Sequence, residues 1–267
     1  MLMKFIDVGG TMTRCLMGGR KDAYPVLFLH GMTYGADVWM RNIDALARDF
    51  YVIAADMLGH GFTKPGRPLE TPTIPLKVDH VCALADALGL DRFCLSGSSY
   101  GALIAALAYF KMPRRVDRLI INGSGSAFNT EEELAPYIER LFDRISPILA
   151  SSTRKMWYEA LSGSVANLAT IPEELVYAVT IAFAQPWLPA AWATSMRDLM
   201  DVRIARPYRI LDRLEELEVK TMVVWGRQDP GAVYQRAVDA VRRMPDARLV
   251  TLEDCGHMVM FEQPARY

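Results

Sequence analysis

The chain has 267 residues, with 30 Lys+Arg against 31 Asp+Glu and a formal net charge of −1. At 51% hydrophobic and 23% charged residues it has a globular make-up, which excludes a disordered chain. The even charge balance excludes an electrostatic footprint for nucleic acid, which needs a surplus of Lys and Arg. The longest apolar stretch, Gly101 to Phe110, is about half of the roughly 20 residues that a bilayer span needs, so no membrane span is expected.

Tyr24 to Leu29 is a continuous apolar run ending at His30-Gly31, which predicts a strand buried on both faces. A helix is predicted over Ala36 to Arg48, with Val38, Trp39, Ile43 and Leu46 at helical spacing. Phe50 to Ala55 reads as a second buried strand, stopping at Asp56-Met-Leu-Gly-His-Gly61. A Pro-rich loop follows (Pro65, Pro68, Pro72, Pro75), then a helix over about Leu76 to Leu88 with Gly89 as its C-terminal cap. Asp91 to Ser96 is a third strand, and after Gly97-Ser-Ser-Tyr-Gly101 comes the helix Ala102 to Lys111, apolar nearly all round and therefore central. Val116 to Ile121 is a fourth strand, and the alternation predicts a parallel sheet covered on both faces.

The pattern breaks between about Phe128 and Ala205, where no strand-like run occurs. Thr130-x-x-Glu133 and Thr170-x-Pro-Glu173 read there as capping boxes, the second with Pro172 in its first turn. The expected organisation is a core of 1–127 and 206–267 with a helical cap at 128–205. Alternation resumes with a strand at Lys220 to Trp225, a helix near Ala232 to Arg243, and a strand at Arg248 to Leu252. The chain stops at Tyr267, just after Pro264 opens what reads as another helix, so a C-terminal helix cut short is expected.

Four cysteines (Cys15, Cys82, Cys94, Cys255) show no C-x-x-C spacing, and the four histidines form no zinc pattern. No metal or other cofactor is expected. The N-terminal MLMKFIDVGG lacks an apolar core segment, so no secretory signal is read, and a soluble cytoplasmic protein with reduced thiols is expected.

Gly97-Ser98-Ser99-Tyr100-Gly101 fits G-x-S-x-G between a strand and a helix, the setting of a nucleophile elbow. Such a turn strains the backbone of the central Ser99 and requires small residues two places either side. A serine hydroxyl needs a base. Of His30, His60, His80 and His257, the last lies just past the final strand, at the sheet edge where ligands bind in open α/β folds. Asp229, in Trp225-Gly-Arg-Gln-Asp229, also follows a buried strand and is preferred to Asp254 as the acid that orients the imidazole. Ser99, Asp229 and His257 are thus the catalytic candidates. The N–H groups of Tyr100 and Met32 are the candidates for an oxyanion hole, and both side chains are candidates for the pocket wall.

The stretches FLHGM (28–32), DMLGHGFT (56–63), SGSSYGA (96–102), VVWGRQD (223–229) and CGHMVMFEQP (255–264) run in order through the chain. With them the sequence resembles the α/β-hydrolase superfamily, in its cap-bearing branch of serine esterases and carbon–carbon bond hydrolases. The resemblance implies an α/β fold with a mostly parallel eight-stranded sheet, flanked by helices, and a helical cap inserted after the sixth strand. Two N-terminal strands, near Lys4–Val8 and Thr13–Met17, are counted toward that sheet, and the resemblance implies a structural role for Asp56, Gly59 and Gly61.

WGRQD followed by CGH is similar to hydrolases of vinylogous diketones. Those carry a Gly-Pro-Gly turn where this chain has Met32-Thr33-Tyr34-Gly35, and Trp where it has Met258. Ester hydrolysis through an acyl-enzyme is therefore the first expectation, with C–C, lactone or amide cleavage as alternatives. Ser99 excludes relatives that use an aspartate nucleophile. Tyr34, Trp157, Trp187, Trp192 and Met258 are the candidates for contact with a small, largely apolar substrate. Arg197, Arg203 and Arg206 read as a solvated helix face that a substrate carboxylate could also meet. Activity should rise through neutral pH as His257 loses its proton. A small-molecule substrate is the expected partner, a homodimer is left open, and a non-catalytic binding protein of the same fold is the reading from another class.

Overall fold

The structure is a computed structural model and describes residues 1–267. Its strands are β1 (Leu2–Val8), β2 (Thr11–Gly18), β3 (Pro25–Leu29), β4 (Tyr51–Ala55), β5 (Phe93–Ser98), β6 (Val116–Asn122), β7 (Thr221–Gly226) and β8 (Ala247–Leu252). They form one sheet in the order β1-β2-β4-β3-β5-β6-β7-β8. The β1–β2 and β2–β4 pairs are antiparallel, and every other pair is parallel. Continuous apolar runs make the central strands: every residue of β4 and β5 is buried, as a sheet covered on both faces requires.

Outside the cap the helices are α1 (Ile43–Leu46), α2 (Thr73–Ala87), α3 (Tyr100–Lys111), α10 (Tyr234–Arg243) and the single turn α11 (Val259–Glu262). Between β6 and β7 lie α4 (Gly125–Phe128), α5 (Glu131–Leu149), α6 (Arg154–Ser162), α7 (Glu173–Phe183), α8 (Leu188–Met200) and α9 (Val202–Ala205). These make the inserted helical cap. No single helix is long and apolar enough to cross a membrane.

Two expectations need correction. The helix predicted over Ala36 to Arg48 is a short 3-10 turn, Ala36–Trp39, followed by α1. Val38, Trp39 and Ile43 are all buried, and Arg41 between them reaches out to the carbonyls of Thr170 and Phe261. Tertiary contacts set this path against local propensity. The capping box at Thr130 and Glu133 forms, with the Thr130 N–H donating to Glu133 Oε2 at 3.0 Å. The second does not: the Thr170 hydroxyl donates to the Asn167 carbonyl, and Pro172 stands at the N-cap of α7.

Asp56 and Gly61 close the turn after β4. The Asp56 carboxylate accepts the N–H groups of Ala36 (2.6 Å) and Phe62 (2.7 Å) and pairs with Arg14 at 3.3 Å. A Cβ on Gly61 (φ +54) would stand 2.2 Å from Asp56 Oδ2, so only glycine fits.

The cap has its own aromatic core. Trp157 packs on Phe183 with centroids 4.5 Å apart, and Phe142 stacks on Trp192 at 5.6 Å. It is fastened to the α/β core through α2: buried Lys77 Nζ donates to Ser195 Oγ at 2.8 Å. Asp198 of α8 accepts the Thr71 hydroxyl and, at 2.5 Å, the Thr73 N–H. Asp198→Ala strands both donors, and is expected to destabilise the fold by about 1–3 kcal/mol, read as a lower urea midpoint.

Candidate active site

β5 runs directly into α3 through Ser99, whose φ of 53° and ψ of −118° lie in a region that side chains disfavour. Asp254 is the other non-glycine residue with positive φ. The flanking glycines explain how the turn closes. A Cβ on Gly97 would stand 2.2 Å from the Gly101 carbonyl oxygen, and one on Gly101 would stand 2.4 Å from the His30 carbonyl oxygen. Neighbours hold the strained residue: the Ser99 N–H donates to the Asn122 carbonyl at 2.8 Å, and the Ser124 hydroxyl donates to the Ser99 carbonyl at 2.6 Å.

Asp229 follows β7 and His257 follows β8. Their side chains meet, with His257 Nδ1 2.7 Å from Asp229 Oδ2. The other carboxylate oxygen accepts the N–H groups of Gly231 (2.8 Å) and Ala232 (2.9 Å), so the acid is fixed from both sides. Gly123 (φ +44) presses on the pair, since a Cβ there would lie 3.2 Å from Asp229 Oδ2 and 3.3 Å from His257 Nδ1. Asp254 is exposed in the turn before the histidine and makes no bond to it. With Nδ1–H donating to Asp229, Nε2 is the ring nitrogen left for the cavity that His257 shares with Ser99. Burial disfavours the imidazolium, but the Asp229 charge and hydrogen bond outweigh it and raise the His257 pKa above its ordinary 6.5.

The remaining histidines serve the fold. His30 Nδ1 lies 2.7 Å from the Gly31 carbonyl and Nε2 accepts the Met57 N–H at 2.9 Å, while burial pushes its pKa down to about 4. The ring is therefore neutral and fixes the loop that carries Met32. Burial also holds His60 well below its usual range, and His80 bonds to the Thr13 hydroxyl at 2.9 Å.

The cavity beside Ser99 has a volume of about 210 Å³. Met32 lies in its wall, and the Met32 N–H has no acceptor within the protein. The Tyr100 N–H is the first amide of α3, a position that has no helical acceptor, whereas the Tyr100 side chain is buried away from the cavity. Tyr34 lines the cavity. Trp157 and Trp192 lie in the cap core and Trp187 at its edge, and none of them lines the cavity; nor does Met258, buried behind His257.

The cap wall comes instead from one stripe of α5, Tyr137, Arg140, Leu141 and Arg144. Arg144 donates to the Gly163 carbonyl (3.1 Å) and the Ser164 hydroxyl (3.3 Å), and neither it nor Arg140 pairs with a carboxylate. The i, i+3, i+4, i+7 spacing of these residues was the signal for one shared face. Arg203 and Arg206 pair with Asp201 and Glu131 at the surface, and Arg197 is exposed.

An elbow serine and a carboxylate-held histidine, both at the C-terminal edge of a parallel sheet beneath a helical cap, define a hydrolytic site of the α/β type. Residues 26–267 match the sequence pattern described as "Alpha/beta hydrolase family", and the chain belongs to that family. It is 27% identical to the 2-hydroxy-6-oxo-2,4-heptadienoate hydrolase of Pseudomonas putida, over 90% of this chain and 84% of that one. It is 23% identical to the mouse (Mus musculus) monoacylglycerol lipase ABHD6, over 93% of this chain and 74% of that one. The fold superposes with a TM-score of 0.84 on the 2-hydroxy-6-oxo-6-phenylhexa-2,4-dienoate hydrolase from Rhodococcus sp. strain RHA1, at 21% identity, covering 99% of this chain and 95% of that one.

NMR titration of the ring should place the His257 pKa above 6.5, and Asp229→Asn should bring it below, because burial then acts unopposed.

Proposed function

We propose that the protein hydrolyses a carbon–carbon bond in a vinylogous diketone that carries a carboxylate. The observation that carries this reading is the pair of acid-free guanidiniums, Arg140 and Arg144, in the wall of the cavity that holds Ser99 and His257. A wall of that kind favours an anionic group on the small, largely apolar substrate expected from the cap tryptophans. The names of the relatives point the same way, since the Pseudomonas putida protein hydrolyses a dienoate.

In this reading Ser99 Oγ attacks the keto carbon while His257 Nε2 takes its proton. Asp229 keeps the imidazole in the required tautomer and stabilises its cation. The N–H groups of Met32 and Tyr100 hold the oxyanion. Collapse breaks the C–C bond. The departing carbanion is delocalised into the vinylogous system and takes a proton from the His257 imidazolium. Water, deprotonated by His257, then releases the acid from the acyl-enzyme. The same machinery cleaves an ester, with an alcohol as the leaving group. That second reading is favoured by the Met32-Thr33-Tyr34-Gly35 loop, which has no Gly-Pro-Gly turn.

A dienoate ring-fission diketone and p-nitrophenyl acetate, assayed side by side, separate the two. Turnover of the diketone with a far higher kcat/KM supports C–C cleavage, and turnover of the ester alone replaces that reading with the esterase. Ser99→Ala should abolish both activities and labelling by a fluorophosphonate, and Asp229→Asn should lower kcat on the order of 10³–10⁴-fold. Arg144→Ala should raise KM for the diketone about 10-fold or more while leaving that of the neutral ester near wild type. With His257 raised above 6.5, kcat/KM should climb with pH through a limb centred above that value, because only the neutral ring accepts the serine proton.

A further inference from the structure

Glu262 is a buried carboxylate with no cation paired to it. It accepts the Gly256 N–H at 3.0 Å and the Met258 N–H at 3.2 Å, the two amides that flank His257. Its second oxygen accepts the Ala166 N–H at 2.8 Å, from a cap residue 96 positions away in the chain. Bonds to Gly256 and Met258 alone would be the local closure of the α11 turn. The bond to Ala166 has no such local purpose.

The same cap loop meets the base a second time, for the His257 N–H donates to the Ser164 carbonyl at 2.8 Å. The approach is close: a Cβ on Gly256 would stand 2.7 Å from the Ala166 nitrogen and 2.9 Å from the Ser164 oxygen. Arg144 holds that loop from its other side through Gly163 and Ser164.

We propose that Glu262 is a positioning residue for the reaction: by binding the backbone on both sides of His257 and the cap loop at Ala166, it makes cap seating and base placement one event. A neutral side chain could accept some of these bonds. The carboxylate serves all three donors and adds negative charge beside a ring that must become a cation. The charged groups facing His257 are Asp229 after β7, Arg144 from α5 and Glu262 from its own loop, with Arg140 and the hydroxyls of Tyr34 and Tyr137 in the same cavity wall. Asp229 and Glu262 favour the imidazolium and Arg144 opposes it.

The inference rests on the reading of His257 as the base, and the test keeps the two apart. The second-order rate of fluorophosphonate labelling is measured on the full chain from about pH 5 to about pH 9, for wild type, Glu262→Gln, Glu262→Asp and His257→Ala. Hydrogen exchange at residues 163–166 is followed alongside. Glu262→Gln should lower the maximal labelling rate on the order of 100-fold with little change in probe affinity, as expected for a misplaced base. Its acid limb should move to lower pH, and exchange at 163–166 should quicken. Glu262→Asp keeps the charge but is one methylene shorter. It should keep the wild-type limb while losing rate and cap-loop protection, and it decides the matter if the Gln variant does not fold. A folded Glu262→Gln with the wild-type rate and limb overturns the proposal, even if exchange quickens, and so does a Glu262→Asp that matches wild type throughout. Undiminished labelling in His257→Ala would instead overturn the base reading itself.

Discussion

The approach of α3 to the strands beneath it leaves no room for a side chain at Gly97 or Gly101, and the rest of the site follows from that contact. Because the Cβ positions are blocked at 2.2 Å and 2.4 Å, the chain between them must take a turn that puts Ser99 at positive φ. The same turn leaves the Tyr100 N–H at the head of α3, and brings the His30 carbonyl against the elbow. His30, kept neutral by burial, then ties the neighbouring Gly31-Met32 loop to Met57. The serine, one amide and the loop bearing the other are thus placed by a single packing contact. The strain, of order 1–3 kcal/mol at such a residue, is borne by the bonds to Asn122 and Ser124.

Charge in the cavity is arranged in opposition. Asp229 lies behind His257, Glu262 beneath its loop, and the guanidiniums of Arg140 and Arg144 in the cap wall. An imidazolium forms most readily near the carboxylates, whereas negative charge is favoured at the arginines. Against burial, which lowers it, the His257 pKa stays above its ordinary value because the nearest carboxylate is in direct contact and the opposing arginine is not. Contact outweighs distance here, since the His257 and Asp229 side chains are buried against each other while Arg144 is exposed and screened by solvent.

The fold and the positions of Ser99, Asp229 and His257 were legible because each follows an apolar run at a strand end, and strand ends in a parallel sheet share one edge. That relation needs only sequence order. The cap wall was not legible, because it depends on which stripe of each helix faces the sheet. Large aromatics signalled burial correctly, but Trp157 and Trp192 are buried within the cap and not over the serine. The facing stripe of α5 mixes Tyr137 and Leu141 with Arg140 and Arg144, which line the cavity and are also exposed to solvent, so its sequence has the polarity of a solvated surface. Glu262 was visible as a letter in CGHMVMFEQP, yet its partner Ala166 lies far away in sequence. The broken helix at Ala36 to Arg48 had the right apolar spacing, and the break falls where Arg41 reaches the carbonyls of Thr170 in the cap and Phe261 in the core.

Several ties hold the cap to the core, among them Arg41 at the Thr170 carbonyl and Arg236 at Glu133, and two of them form seams. One runs through Lys77, Ser195 and Asp198 beside α2, and the other through Ser164, Ala166 and Glu262 beside the last strand. Chain connectivity adds two more attachments, at the ends of β6 and β7. To open, the cap must break these side-chain and backbone bonds as well as lose its own packing on the sheet. Tolerance of sequence change should therefore concentrate in the outward faces of the cap helices, away from these ties to the core.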